Sequence, residues 1–207
     1  MPAKADPAKQ RSFLSDVLKP LMDKAKSGME TLYFLDASHF VMGAFRGRVW
    51  SAVRKWVRTA SGRQRFNVLG ALNFVTKKVE TIVNETYITS IEIVAMLEKL
   101  AAIHAGKIVN IILDNARYQR CKLVMETAVS LGINLVFLPT YSPNLNLIER
   151  VWKLVKSQVL NASYHETFHT FCDSIASFIG CLQSDFRPEM ESLVTENFHI
   201  VDESNIV

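Results

Sequence analysis

The sequence predicts an α/β domain built on a mixed five-stranded sheet flanked by helices. Three observations predict it. Three apolar runs rich in β-branched and aromatic residues follow one another from Thr31 to Ile88 with no helical spacing between them. Two shorter apolar runs, KIVNIIL and INLVFL, each follow a segment of helical spacing. The remainder of the chain repeats apolar residues at helical intervals. With 207 residues, 49% of them hydrophobic, the chain can bury one substantial core, which excludes a disordered or repeat-rich polypeptide.

Taken in order, the first ~28 residues hold one helix, with Phe13, Leu14, Val17, Leu18, Leu21 and Met22 on one face and Pro20 working against it. TLYFLDASHF is a nearly continuous apolar run that is read as a strand ending in Asp36. RFNVLGALNFV and the Thr/Val/Ile-rich run to Ile88 complete an antiparallel meander. Thr89-Ser-Ile-Glu92 has the form of a capping box; Ile93, Met96, Leu97, Leu100 and Ile103 continue the helix and Gly106 closes it. KIVNIILDNA is a strand covered on both faces and ends in Asp114. A helix from Tyr118 to Leu131 closes at Gly132, and INLVFLP is another buried strand, stopped by Pro139. A helix from about Leu145 to Leu160 presents Ile148, Val151, Trp152, Val155 and Val159, and a last helix lies within about Glu166 to Gln183. The order β, β, β, α, β, α, β, α, α requires antiparallel pairing first and parallel pairing afterwards.

The net charge of +4 is unevenly spread. Residues 37–79 carry nine basic groups and no acidic one, whereas residues 157–207 carry one basic and eight acidic groups. Such asymmetry points to a polyanion on one surface, although a merely solvated basic face reads the same way. Cys121, Cys172 and Cys181 fit neither a zinc pair nor a disulfide framework and read as reduced thiols. No signal peptide and no run of about 18 apolar residues is present, so a soluble protein that is not exported and meets no membrane is expected.

Functional groups in such sheets gather where strands end. Asp36 and Asp114 each close an apolar run that has no other reason to finish in an acid, and they face each other if their strands are neighbours. Repelling carboxylates are relieved by a hard divalent cation such as Mg²⁺. Taken alone, either aspartate reads as a turn or helix-cap residue, and only the pair points to a cation. Glu149 could be the end of a capping box opened by Asn146, or an i,i+4 partner of Lys153.

The strings YFLDASHF, IILDNARYQ and FLPTYSPNLNLIERVWK resemble the three acidic motifs of DDE transposases in the mariner-like superfamily, in its bacterial insertion-sequence branch. Thirty-four residues separate Asp114 from Glu149, a spacing shared with that superfamily, and the resemblance covers roughly residues 30–200. Thr140, Asn144 and Leu147 depart from it where relatives often have Pro, Asp and Pro.

The resemblance implies a ribonuclease H-like fold for residues 29–207, with residues 1–28 a helical extension. It implies that Asp36, Asp114 and Glu149 are both catalytic and metal-binding, and that they hold two Mg²⁺ or Mn²⁺ ions with Asp36 bridging. The activity implied is phosphodiester hydrolysis at transposon ends and transfer of the 3′-hydroxyl into target DNA. Asn115 and Arg117 would support the second acid or touch a phosphate. Arg46, Arg48, Arg54, Lys55, Arg58, Arg63, Arg65, Lys153 and Lys156 would contact the DNA backbone.

Trp50 and Trp56 are expected in the core in preference to stacking on a base. No helix-turn-helix module precedes the acids, so the chain resembles the second half of a transposase, frameshift-fused, served by a separately encoded recognition partner, or a remnant. A homodimer is left open, and a cytoplasmic, nucleoid-associated location is expected. Two other readings stand: a non-catalytic fragment that binds DNA or dimerises and regulates transposition, and a general nuclease of RNA or hybrids.

Overall fold

Pro20 sets the first structural problem, because inside a helix its ring clashes with the carbonyl four residues back and its missing N–H breaks the ladder. The chain passes it with one widened turn. Helix α1 (Pro7–Phe13) runs into a π-helical turn at Leu14–Leu18, where the Lys19 N–H donates to the Leu14 carbonyl, and α2 (Lys19–Lys26) continues with the proline in its first turn. Asp6 caps the start, accepting from the Ala8 and Lys9 N–H groups at 3.1 Å. The computed structural model describes residues 6–43, 51–53, 56, 64–161 and 163–200.

Strands β1 (Thr31–Val41), β2 (Arg65–Asn73), β3 (Val79–Asn84), β4 (Val109–Leu113) and β5 (Ile133–Phe137) form one sheet in the order β3-β2-β1-β4-β5. The first three strands pair antiparallel, and β1, β4 and β5 pair parallel, as the element order requires. Helices α3 (Ser90–Ile103) and α4 (Lys122–Ser130) supply the crossovers, followed by α5 (Ile148–Val159), α6 (Phe168–Cys181) and α7 (Arg187–Leu193).

Strand alternation divides the core in two. Tyr33, Leu35, Leu69, Ala71 and Ile111 pack beneath Ile93, Met96, Leu97 and Leu100 of α3 and Val124 and Ala128 of α4. Phe34, Phe40, Val68, Leu72 and Ile112 pack on the other face, with Ile148, Val151, Trp152 and Val155 of α5 and Leu18 and Met22 of the N-terminal helices. Thr89 and Glu92 form the expected capping box on α3.

Several elements differ from the sequence expectation. Asp36 does not end its strand: β2 pairs with β1 from Tyr33↔Asn73 to Val41↔Arg65, and that continuous antiparallel ladder carries β1 five residues past the acid. Strand β5 lies at the sheet edge, with only Ile133 fully buried. The stretch expected as one helix from Tyr118 begins with a short 3-10 turn at Arg117–Gln119 before α4. Another 3-10 turn, Pro143–Leu145, precedes α5. Trp56 is 85% exposed, not a core residue, and Trp50 lies outside the described residues.

Candidate active site

The sheet brings Asp36 and Asp114 together. Pairing between β1 and β4 runs from Thr31↔Val109 to Phe34↔Ile112, and two further steps in that register set Asp36 beside Asp114. Strand β4 stops at Leu113, so β1 is open on this side from Leu35 onward while β2 still supports it on the other. Asp36 also lies between Phe34 and Phe40 in the alternation of β1, which directs it to the α5 face.

Helix α5 is fixed over the same point by two contacts. The Asn146 side-chain amide donates to the Leu35 carbonyl at 3.1 Å, tying the start of α5 to the residue before Asp36. Asn146 is buried and forms no side-chain cap on α5, so the expected capping box with Glu149 is absent. Three residues further, Trp152 lies against Gly70, the cross-strand partner of Asp36. A Cβ on Gly70 would stand 2.6 Å from the indole ring. Glycine is therefore required here to let α5 approach, and Glu149 rides in on its first turn.

Electrostatics report the proximity of the acids. Burial, then the charges of Glu149 and Asp114, push the Asp36 carboxyl up to about 8, against a smaller pull from the Ala37 N–H and Lys156. Asp114 is likewise raised, by burial and by Glu149. The Tyr118 hydroxyl is raised by burial, with Asp36 and Asp114 adding to it, which places this tyrosine at the site as well. Among the described residues no three His, Cys, Asp or Glu side chains are gathered tightly enough to hold one ion. The donor set nonetheless fits a hard cation: it is all carboxylate oxygen, and the shift of Asp36 is that of an acid lacking sufficient positive charge.

Beside Asp114 opens a cleft of about 430 Å³, lined by Asn115, Ala116 and the loop Pro139–Pro143. Tyr141 holds φ at +60°, a left-handed conformation that costs a non-glycine residue on the order of 1–3 kcal/mol.

The remaining residues singled out in the sequence are placed as follows. The Asn115 amide nitrogen donates to the Leu138 carbonyl and its oxygen accepts from Arg120 at 2.8 Å, so this side chain joins the ends of β4 and β5. Arg117, Arg65 and Lys153 are exposed. Lys156 turns back toward the sheet, its Nζ 5.7 Å from the Phe40 ring centroid and its charge felt by Asp36. Arg46, Arg48, Arg54, Lys55, Arg58 and Arg63 lie outside the described residues. Sequence reasoning missed Asn146, Gly70 and Tyr118; a signal existed for Tyr118, which follows Arg117 within the second acidic motif.

A mixed sheet with acids on its central strand, on the next strand's end and on a covering helix defines the ribonuclease H-like class. Residues 31–172 match the DDE superfamily endonuclease family, and the chain belongs to it. A comparison with curated proteins found no sequence match.

Solved structures show the same fold. The Mos1 strand transfer complex superposes with a TM-score of 0.61 at 11% identity, covering 98% of this chain and 65% of that one. The catalytic domain of Mos1 mariner transposase gives 0.61 at 12%, covering 95% of this chain and 93% of that domain. The mariner Mos1 paired-end complex with Mg gives 0.59 at 11%, covering 94% and 65%. The chain thus spans about two thirds of the Mos1 chain in the strand transfer complex and matches its catalytic domain nearly end to end. No helix among the described residues is long and apolar enough to cross a membrane.

Proposed function

We propose that this chain is the catalytic domain of a DNA transposase, cleaving phosphodiester bonds at transposon ends and joining the 3′-hydroxyl to target DNA. The observation that carries the reading is the register that sets Asp36 beside Asp114, with the Asp36 carboxyl raised to about 8 by burial and by its two acidic neighbours. Membership of the DDE endonuclease family and the likeness to Mos1 complexes support it.

Asp36, Asp114 and Glu149 would hold two divalent ions, Mg²⁺ or Mn²⁺; the solved Mos1 paired-end complex with Mg favours that choice. Bound there, the ions supply an activated oxygen nucleophile and charge stabilisation of the leaving oxygen. Asn146 and Gly70 would act through Glu149 by holding α5 against β1 and β2 respectively. Lys156 adds a fixed positive charge beside Asp36. Arg65, exposed at the start of β2, and Lys153, exposed midway along α5, would meet the DNA backbone, together with the arginines and lysine between residues 46 and 63. A homodimer and a helix-turn-helix partner for recognition belong to the same proposal.

One observation favours a second reading, a non-catalytic fragment that binds DNA or dimerises and regulates transposition: the three acids are not drawn into a closed ligand set. Nicking of supercoiled plasmid with Mg²⁺ or Mn²⁺ separates the two. The catalytic reading predicts metal-dependent nicking that Asp114→Ala abolishes. Nicking unchanged in that variant would refute the site, and DNA retention without any cleavage would establish the second reading.

A further inference from the structure

We propose that the cleft beside Asp114 is a base-stacking subsite, in which the Tyr141 ring packs against the nucleobase next to the scissile phosphate. The inference rests on the phosphodiester reading of the three acids and adds to it where one nucleotide goes.

The cleft lies at the right place, since Asp114 forms one end of its lining. Its chemistry favours a base over the sugar-phosphate backbone. Among the described residues no lysine or arginine lines it, and the only charged lining group is Asp114, at the end nearest the acids. The other lining is suited to a flat, uncharged ring: Pro139, Tyr141 and Pro143 on the loop, Ala116 opposite, with Thr140 and Ser142 between. An aromatic side chain accepts any base, because every base presents a π face.

The walls are held independently of any ligand. Asn115 fastens the β4 end to the Leu138 carbonyl and is itself held by Arg120, whose guanidinium lies 4.7 Å from the Phe137 ring centroid. On the loop, Ser142 is buried and Pro143 begins the 3-10 turn leading to α5. Between these fixed points Tyr141 keeps its left-handed backbone and leaves its side chain half-exposed at the cleft, contributing nothing to the core. Strained conformations of this kind persist where the surrounding structure imposes them, and they cluster at ligand sites.

The test uses the whole chain in low salt with Ca²⁺ and a thymine hexanucleotide carrying one 2-aminopurine. Anisotropy of an end label reads binding, and 2-aminopurine emission reads stacking. Tyr141→Phe keeps the ring; Tyr141→Asn removes it while accepting the left-handed backbone, and thermal unfolding checks that both variants fold. Wild type and Tyr141→Phe should bind with quenched emission. Tyr141→Asn should bind about 5- to 100-fold more weakly, without the quench. Equal affinity and equal quenching in Tyr141→Asn overturn the subsite and leave the phosphodiester reading intact. Absence of any binding by the wild type overturns both.

Discussion

Two carboxylates on opposite faces of this sheet are shifted in opposite directions. Glu80, on the face covered by α3, sits between Lys78 at 2.7 Å and Lys99 at 2.9 Å. Burial alone would raise its carboxyl, but hydrogen bonds and charge from the two lysines outweigh that and leave it below its ordinary value. Asp36, on the α5 face, meets two other acids and is raised to about 8. The same contrast holds for neutral groups. On the α3 face the Tyr33 hydroxyl is 2.8 Å from His104 Nε2. Among the described residues, Ser38 Oγ, Asn146 Oδ1 and Trp152 Nε1 on the α5 face, and Gln119 Oε1 in the turn packed on α3, are buried with no hydrogen-bond partner in the protein. Three of these four atoms lie on the face that carries the acids. The lysine-paired carboxylate and the acid-crowded one thus lie on opposite faces of one sheet.

Exchanging the acids for their amides is the strongest way to break this contrast. Asp36→Asn should lower metal-dependent nicking by roughly 10³-fold or more, as for a member of a catalytic unit, with the fold retained. Glu80→Gln should leave nicking in place and cost about 1–3 kcal/mol in urea unfolding. Next in size are packing variants. Leu97→Ala, on the buried face of α3, should cost about 2–5 kcal/mol with Mn²⁺ affinity unchanged. Gly70→Ala should cost about 1–3 kcal/mol by overpacking against Trp152, and should also weaken Mn²⁺ binding because α5 is displaced. Asn146→Ala should follow the Gly70 pattern, with the loss in Mn²⁺ affinity exceeding that of any α3-face variant. An effect of Leu97→Ala on Mn²⁺ binding as large as that of Asn146→Ala would erase the distinction between the faces.

The smallest expected effect is on the pH dependence of stability. Because the Asp36 carboxyl is raised in the fold, the native state binds a proton that the unfolded chain has released, and stability contributed by that proton declines as pH climbs from about 4 through about 8. Glu80 acts oppositely: its contribution is present at neutral pH and lost as pH falls below its ordinary value near 4.5. Metal-free wild type should therefore melt lower at pH 8.5 than at pH 6, and Asp36→Asn should flatten that decline. An equal decline in the variant would assign the pH dependence elsewhere.

Much of this organisation is legible in the sequence. Apolar runs locate all five strands, helical spacing locates α3 and α5, and Asp36 and Asp114 are visible because each follows an apolar run, whereas Glu149 stands out only through the resemblance of the motif around it. Local patterns do not say which strands adjoin. That Asp36 meets Asp114 follows from β4 pairing with β1, a contact across 78 residues. The same limit hides the length of β1 beyond Asp36, since the β2 ladder sustains it. Asn146 reads locally as a helix cap, but its amide instead reaches a carbonyl 111 residues away. Gly70 reads as a weak point in a strand until Trp152 is seen to occupy the space a side chain would need.

The central claim is that the α5 face gathers three acids for divalent cations, and calorimetric titration of Mn²⁺ into the metal-free chain at pH 7.5 tests it most directly. Saturable binding by the wild type, lost in Asp36→Asn and retained in Glu80→Gln, is the predicted result. Binding of equal strength in wild type and Asp36→Asn would contradict it.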